Sequence, residues 1–151
     1  MADKHHLGMD LADWLHEMDG LGLVAGASMQ GQEPALLHRF CWLLDKAPSP
    51  DLLDGLDLPP MRHVEALMRA GALESAIMGF LAPETGFCLS RGGDGDYLAS
   101  IILPRRLCES SARGASMALA CLGALAMGLT DLAPRMTPQS EHFSHKNGML
   151  H

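Results

Sequence analysis

Between Ala115 and Leu129 the chain runs for fifteen residues in which Ser116 is the only polar side chain. A helix that is apolar on every side must be covered by a sheet of its own chain, by a partner or by lipid. Crossing a bilayer takes about 20 such residues, so the run is too short to span. Gly114, Gly123 and Gly128 also favour close backbone approach. The expectation is a buried helix from about Ala112 to Leu132, lying flat on a sheet. That sheet is sought immediately upstream. Phe87–Arg91 and Tyr97–Leu103 read as strands around Gly92–Asp96, with Asp94-Gly95 as the hairpin turn and Pro104 closing the second strand.

The rest of the chain reads mostly as helix. Leu11, Trp14, Leu15 and Met18 fall at i, i+3, i+4 and i+7, with Asp10 as N-cap and Gly20 as a stop. Leu21–Met29 reads as a short strand or an irregular apolar connector, the strand being preferred, with Leu21–Ala25 then extending the hairpin sheet. A second helix is expected from Glu33 or Pro34 to Lys46, burying Leu36, Leu37, Phe40, Leu43 and Leu44. Residues 47–60 contain four prolines and one glycine, so they form a connector anchored by Leu52, Leu53, Leu56 and Leu58. Met61–Leu81 is helical again, divided at Gly71. The fold class is therefore α+β: one helix-rich domain over 1–133, with a small antiparallel hairpin of two or three strands packed against the apolar C-terminal helix. Residues 134–151 form a polar tail.

Charge is placed unevenly. The chain carries a formal net charge of −7, and residues 1–60 hold ten acids against Lys4, Arg39 and Lys46. Beyond residue 60, eight acids balance eight bases. Such a balance argues against direct nucleic-acid binding, which needs Lys and Arg to displace counterions. It suits a basic protein partner. Cys41, Cys88, Cys108 and Cys121 lie among apolar neighbours with no C-x-x-C pair, so they read as four reduced, mostly buried thiols. No apolar leader is visible at the start, which points to the cytoplasm. The 11 methionines are expected to fill an aliphatic core.

Catalytic signals are sparse. His142 and His145 have a spacing used by metal sites but no cysteine pair beside them. Asp94-Gly95-Asp96 opens like a calcium loop but lacks the later ligands. His38 and Cys41 sit one turn apart on a predicted helix, with the cysteine reading as a small buried thiol. Arg105-Arg106 follows the second strand and is expected to be solvated or paired with Glu109. No phosphate loop, dinucleotide fingerprint or zinc-protease signature occurs. A non-enzyme without cofactor or metal is the expectation.

The order of helix, Gly-led strand, turn, strand and apolar helix from about Val64 to Leu132 resembles two groups. One is the small acidic chaperones of specialised secretion systems, and that resemblance implies a dimeric α+β protein that holds an unfolded effector segment. The N-terminal half lacks the strands such chaperones carry. The other is the short acidic proteins of bacterial phages, among them host-defence inhibitors. No site residue is carried over from either.

The residues themselves favour a protein-interaction module, acting as adaptor, chaperone or stoichiometric inhibitor through its acidic half. Its partner surface is expected at Trp14, Trp42 and the loop residues Asp51, Leu52, Leu53, Asp54, Leu56 and Asp57. Open sheet edges add the expectation of a homodimer. The alternatives are a ligand-binding protein or enzyme with a cleft beside the hairpin, using His38, His63 or Arg91, and membrane association through Gly114–Leu132.

Overall fold

The computed structural model describes residues 8–106 and 108–132. Within them the order is α1 (Leu11–Ala27), α2 (Glu33–Asp45), a 3-10 turn (Pro50–Leu53), α3 (Met61–Arg69), α4 (Leu73–Met78), β1 (Gly86–Arg91), β2 (Tyr97–Ile102), β3 (Ser110–Gly114) and α5 (Met117–Thr130). The strands form an antiparallel sheet in the order β1-β2-β3. The α+β class expected from the sequence is therefore present, with the apolar helix on the sheet. The polar tail over 134–151, with His142 and His145, lies outside the described residues.

The centre of the molecule is α5. It packs on β2 and β3 on one side and along α1 on another. Ser116 caps it, the hydroxyl accepting from the Leu119 N–H at 3.2 Å. Eleven of its fourteen residues are buried, which is why the segment carries no charge. No helix of the described residues is long and apolar enough to cross a membrane.

Two sequence expectations fail at the ends of this packing. Leu21–Met29 is not a strand, because α1 continues through Gly20 to Ala27. Trp14, Met18, Leu21 and Ala25 are all fully buried and make one continuous helical stripe. Burying Leu21 and Ala25 outweighs the roughly 1 kcal/mol that a mid-helix glycine costs. Gly22 also serves the contact: a Cβ there would sit 3.4 Å from Ala126 Cβ and 3.7 Å from Gly123 O. The second failure is the start of the last helix. Residues 110–114 are β3 rather than helix, and the third strand comes from this polar break instead of from residues 21–25. Small residues there answer to crowding, since a Cβ on Gly123 would lie 2.9 Å from Ala112 Cβ.

The helices before the sheet close the core from the other side. Phe40 of α2 meets Phe80 edge-on at 5.4 Å, and the Trp14 indole N–H donates to Leu43 O at 2.7 Å. Arg39 of α2 bonds Glu17 of α1 at 2.7 Å. The core is Leu and Ala more than Met. Met18 is buried, but Met29, Met61, Met78, Met117 and Met127 are each more than a third exposed, contrary to the expected role of methionine as core filler.

The break between α3 and α4 falls at Gly71, as the sequence indicates, with φ of +74°. Opposite effects are expected at two exposed or open glycines. Gly20 lies in a helix with nothing near its missing Cβ, so Gly20→Ala should raise stability by about 0.5–1 kcal/mol. Gly71→Ala forces a left-handed backbone on a side chain and should lower it by about 1 kcal/mol. Urea unfolding of the two variants beside the parent chain checks both signs.

Candidate functional site

Helix α2 has two faces. Leu36, Leu37, Phe40, Leu43 and Leu44 point to the core, as their spacing predicts. His38, Cys41, Trp42 and Asp45 form a second stripe at i, i+3, i+4 and i+7, and it borders an open cleft of about 700 Å³. Pro50, Leu53, Leu58, Pro59 and Met61 form the facing wall, with Ala47 and Phe80 at the base. The lining is apolar except for His38 and Asp45. Trp42 is 52% exposed and Leu58 57% exposed, an arrangement that leaves large apolar side chains in water unless something covers them.

The facing wall is held in place, although it is a connector rich in proline. The Ser49 hydroxyl accepts from Asp51 N–H at 3.3 Å and caps the 3-10 turn. The Asp57 N–H donates to Phe80 O at 3.0 Å, and Leu56 bridges to Leu81. From the far side, Arg105 bonds Asp54 at 2.6 Å. Buried Arg106 donates to Asp131 O at 2.7 Å and to Leu52 O at 3.5 Å. This pair of arginines braces the loop from β2; the expected pairing with Glu109 is replaced by these contacts. The cleft wall is thus held by contacts within the chain itself.

The structure sorts the residues expected at a partner surface. Trp42 and Leu53 line the cleft. Asp51 and Asp57 are exposed on its loop. Asp54 is paired with Arg105, while Leu52 and Leu56 are half-buried and packed on the core. Trp14 is corrected: it is 0% exposed and bonded to Leu43 O, so it cannot meet a partner. Its position on the first helical stripe already favoured the core. Outside the expected partner surface, Cys41, Asp45, Pro50, Pro59, Met61 and Phe80 also line the cleft, and the 38-41-42-45 spacing was available as a second stripe.

The expected cleft beside the hairpin is a different and smaller place. A polar depression of about 350 Å³ at the turn is lined by Arg91, Asp94, Asp96, Tyr97 and Arg113 among others. Arg91 lies over the Tyr97 ring at 5.5 Å, and Arg113 is 3.7 Å from Asp94. His38 belongs to the apolar cleft and exposed His63 lines neither, so the three residues expected together are not brought together. At the turn, Asp94 Oδ1 accepts from Asp96 N–H at 3.0 Å, which uses it for the hairpin. Among the described residues no group of three His, Cys, Asp or Glu side chains could hold a metal ion.

The thiols divide into two classes, correcting the expectation that most are buried. Cys88 and Cys108 are exposed, Cys41 is half-buried and Cys121 is buried; all four are free. Burial, with a smaller push from Glu65, raises the Cys41 thiol to about 11. Burial, with a smaller push from Glu74, raises Cys121 to about 11. Cys41 is therefore a protonated thiol at neutral pH, and His38 beside it does not make it a nucleophile. Maleimide labelling at neutral pH should modify Cys88 and Cys108 first and Cys121 last. Because the folded state keeps these two protons longer than the unfolded chain does, stability should fall as pH rises from about 9 towards 11. Unfolding midpoints measured across that range test the direction.

Comparison of the chain with family models, with curated proteins and with solved structures gives no match.

Proposed function

We propose that this chain is a non-enzymatic protein-binding module whose apolar cleft receives a short segment of a basic partner. The observation that carries this reading is the cleft walled by Trp42, Leu53 and Leu58, with Trp42 and Leu58 more than half exposed. A half-exposed tryptophan in a concave apolar site is a common anchor point for a partner. Charge supports the choice of partner. Asp45 lines the cleft, Asp57 stands exposed on the adjoining loop, and Glu65 is close enough to act on Cys41. A segment with two or three apolar anchors flanked by Lys or Arg fits both features. Four free thiols agree with a reducing compartment such as the cytoplasm.

Selection from a displayed random-peptide library tests this reading directly. The full chain should enrich apolar-basic sequences that the Trp42→Ala variant does not retain and that high salt weakens. Enrichment of nothing beyond the Trp42→Ala control overturns it. The cleft volume also falls in the range of about 300–1,000 Å³ used for small ligands. That second reading gains if salt-insensitive apolar dyes bind at Trp42 while no peptide does.

A further inference from the structure

Among the described residues the sheet is covered at one edge and open at the other. β3 lies under α5 and beside α1, and the Gln30 amide donates to Ala115 O at 3.2 Å just past its end. Among the described residues β2 is the one strand that pairs with β1. Five of its six residues are exposed and Leu89 is half-buried. Among the described residues no strand pairs with its outer edge.

The backbone groups on that edge can be named. Gly92 N–H donates to Asp96 O at 2.8 Å in the same register that pairs Ser90 with Leu98 and Cys88 with Ser100. Hydrogen-bonded pairs alternate along an antiparallel ladder, so Gly86, Cys88 and Ser90 bond inward to β2. The N–H and C=O groups of Phe87, Leu89 and Arg91 point outward. Edge strands are usually blunted by proline, lysine, a bulge or a covering element. Gly86–Arg91 has no proline or lysine, and its register with β2 is unbroken.

We propose that this edge pairs with β1 of a second copy, antiparallel about a two-fold axis at Cys88, giving a continuous six-stranded sheet. The strand is complementary to itself. In this register Phe87 stands opposite the partner's Leu89 on the α5 side of the sheet, twice by symmetry, through the outward-facing backbone groups. Glu84 precedes the strand and Arg91 ends it, so antiparallel pairing brings the acidic end of one copy to the basic end of the other. Sliding the axis to Leu89 would instead set Glu84 opposite the partner's Asp94 and Phe87 opposite the partner's Arg91. Cys88 faces its own copy across a non-hydrogen-bonded pair, where Cα atoms are about 4.5 Å apart. This surface is independent of the apolar cleft.

Sedimentation of the full reduced chain should give twice the 16.2 kDa chain mass. Cys88→Lys places two ammonium groups on the axis and should yield a folded monomer, while Cys88→Ser should stay dimeric. In a Cys108→Ser background a short bismaleimide should join two copies, and adding Cys88→Ser should abolish the product. Circular dichroism confirms that each variant is folded. A chain that sediments as a monomer at every concentration, including one that instead binds a foreign extended peptide on β1, overturns the proposal. So does a dimer that survives Cys88→Lys and fails to cross-link through Cys88.

Discussion

Replacing Trp14 with Ala should lower the unfolding free energy by about 3–5 kcal/mol, while the same change at Trp42 should cost about 1 kcal/mol or less. The two residues are chemically identical and were equivalent as candidates for a partner surface. Trp14 is completely buried between α1 and α2, so truncation leaves a cavity the size of an indole and deprives Leu43 O of its side-chain donor. Trp42 stands at the cleft mouth with half its surface in water. Removing it frees little buried volume and strips the proposed anchor. Guanidinium unfolding of both variants measures the stability difference, and peptide binding should show the reverse order. Equal losses of stability would mean that Trp42 is a core residue.

An effect of about 3 kcal/mol or more is expected from Gly114→Ala, one of the smallest changes available. Gly114 ends β3 directly beneath the first turn of α5. A Cβ there would lie 2.5 Å from Ala120 N and 2.9 Å from the Leu119 carbonyl carbon. These are backbone atoms of the helix that organises the core, so no side-chain rotation relieves the clash. Either β3 or α5 has to move, and α5 also carries the contacts to α1. Gly93→Ala is the control, since it is exposed at the hairpin and has nothing within 4 Å. Thermal unfolding should separate the two variants widely and leave Gly93→Ala near the parent.

What the sequence reveals about this fold follows from where burial is written as a period. The stripes of α2, the division at Gly71 and the β1–β2 hairpin are all legible, because one side chain in each repeat must face the core. β3 is not legible. Ser, Ala, Arg and Gly have little strand preference, and they are present because α5 approaches too closely for larger groups. The continuation of α1 was hidden for a related reason. Gly20 looks like a stop, yet Leu21 and Ala25 extend the stripe begun by Trp14 and Met18. The candidate site was half legible. Trp42 and Leu53 could be picked out, but the pairing of α2's second face with the proline-rich wall depends on Arg105 and Arg106. These reach the loop from the far side of the sequence.

The central claim is that the cleft beside Trp42 is the docking surface. The most direct test is a nitrogen–proton correlation spectrum of the full chain, which contains two indole N–H signals, one from each tryptophan. A selected apolar-basic peptide should move the Trp42 signal and backbone signals around Leu53, Leu58 and Met61. The Trp14 signal, bonded to Leu43 O, should stay in place. Shifts confined to the hairpin or to α1, with the Trp42 signal unmoved at saturation, would contradict the account.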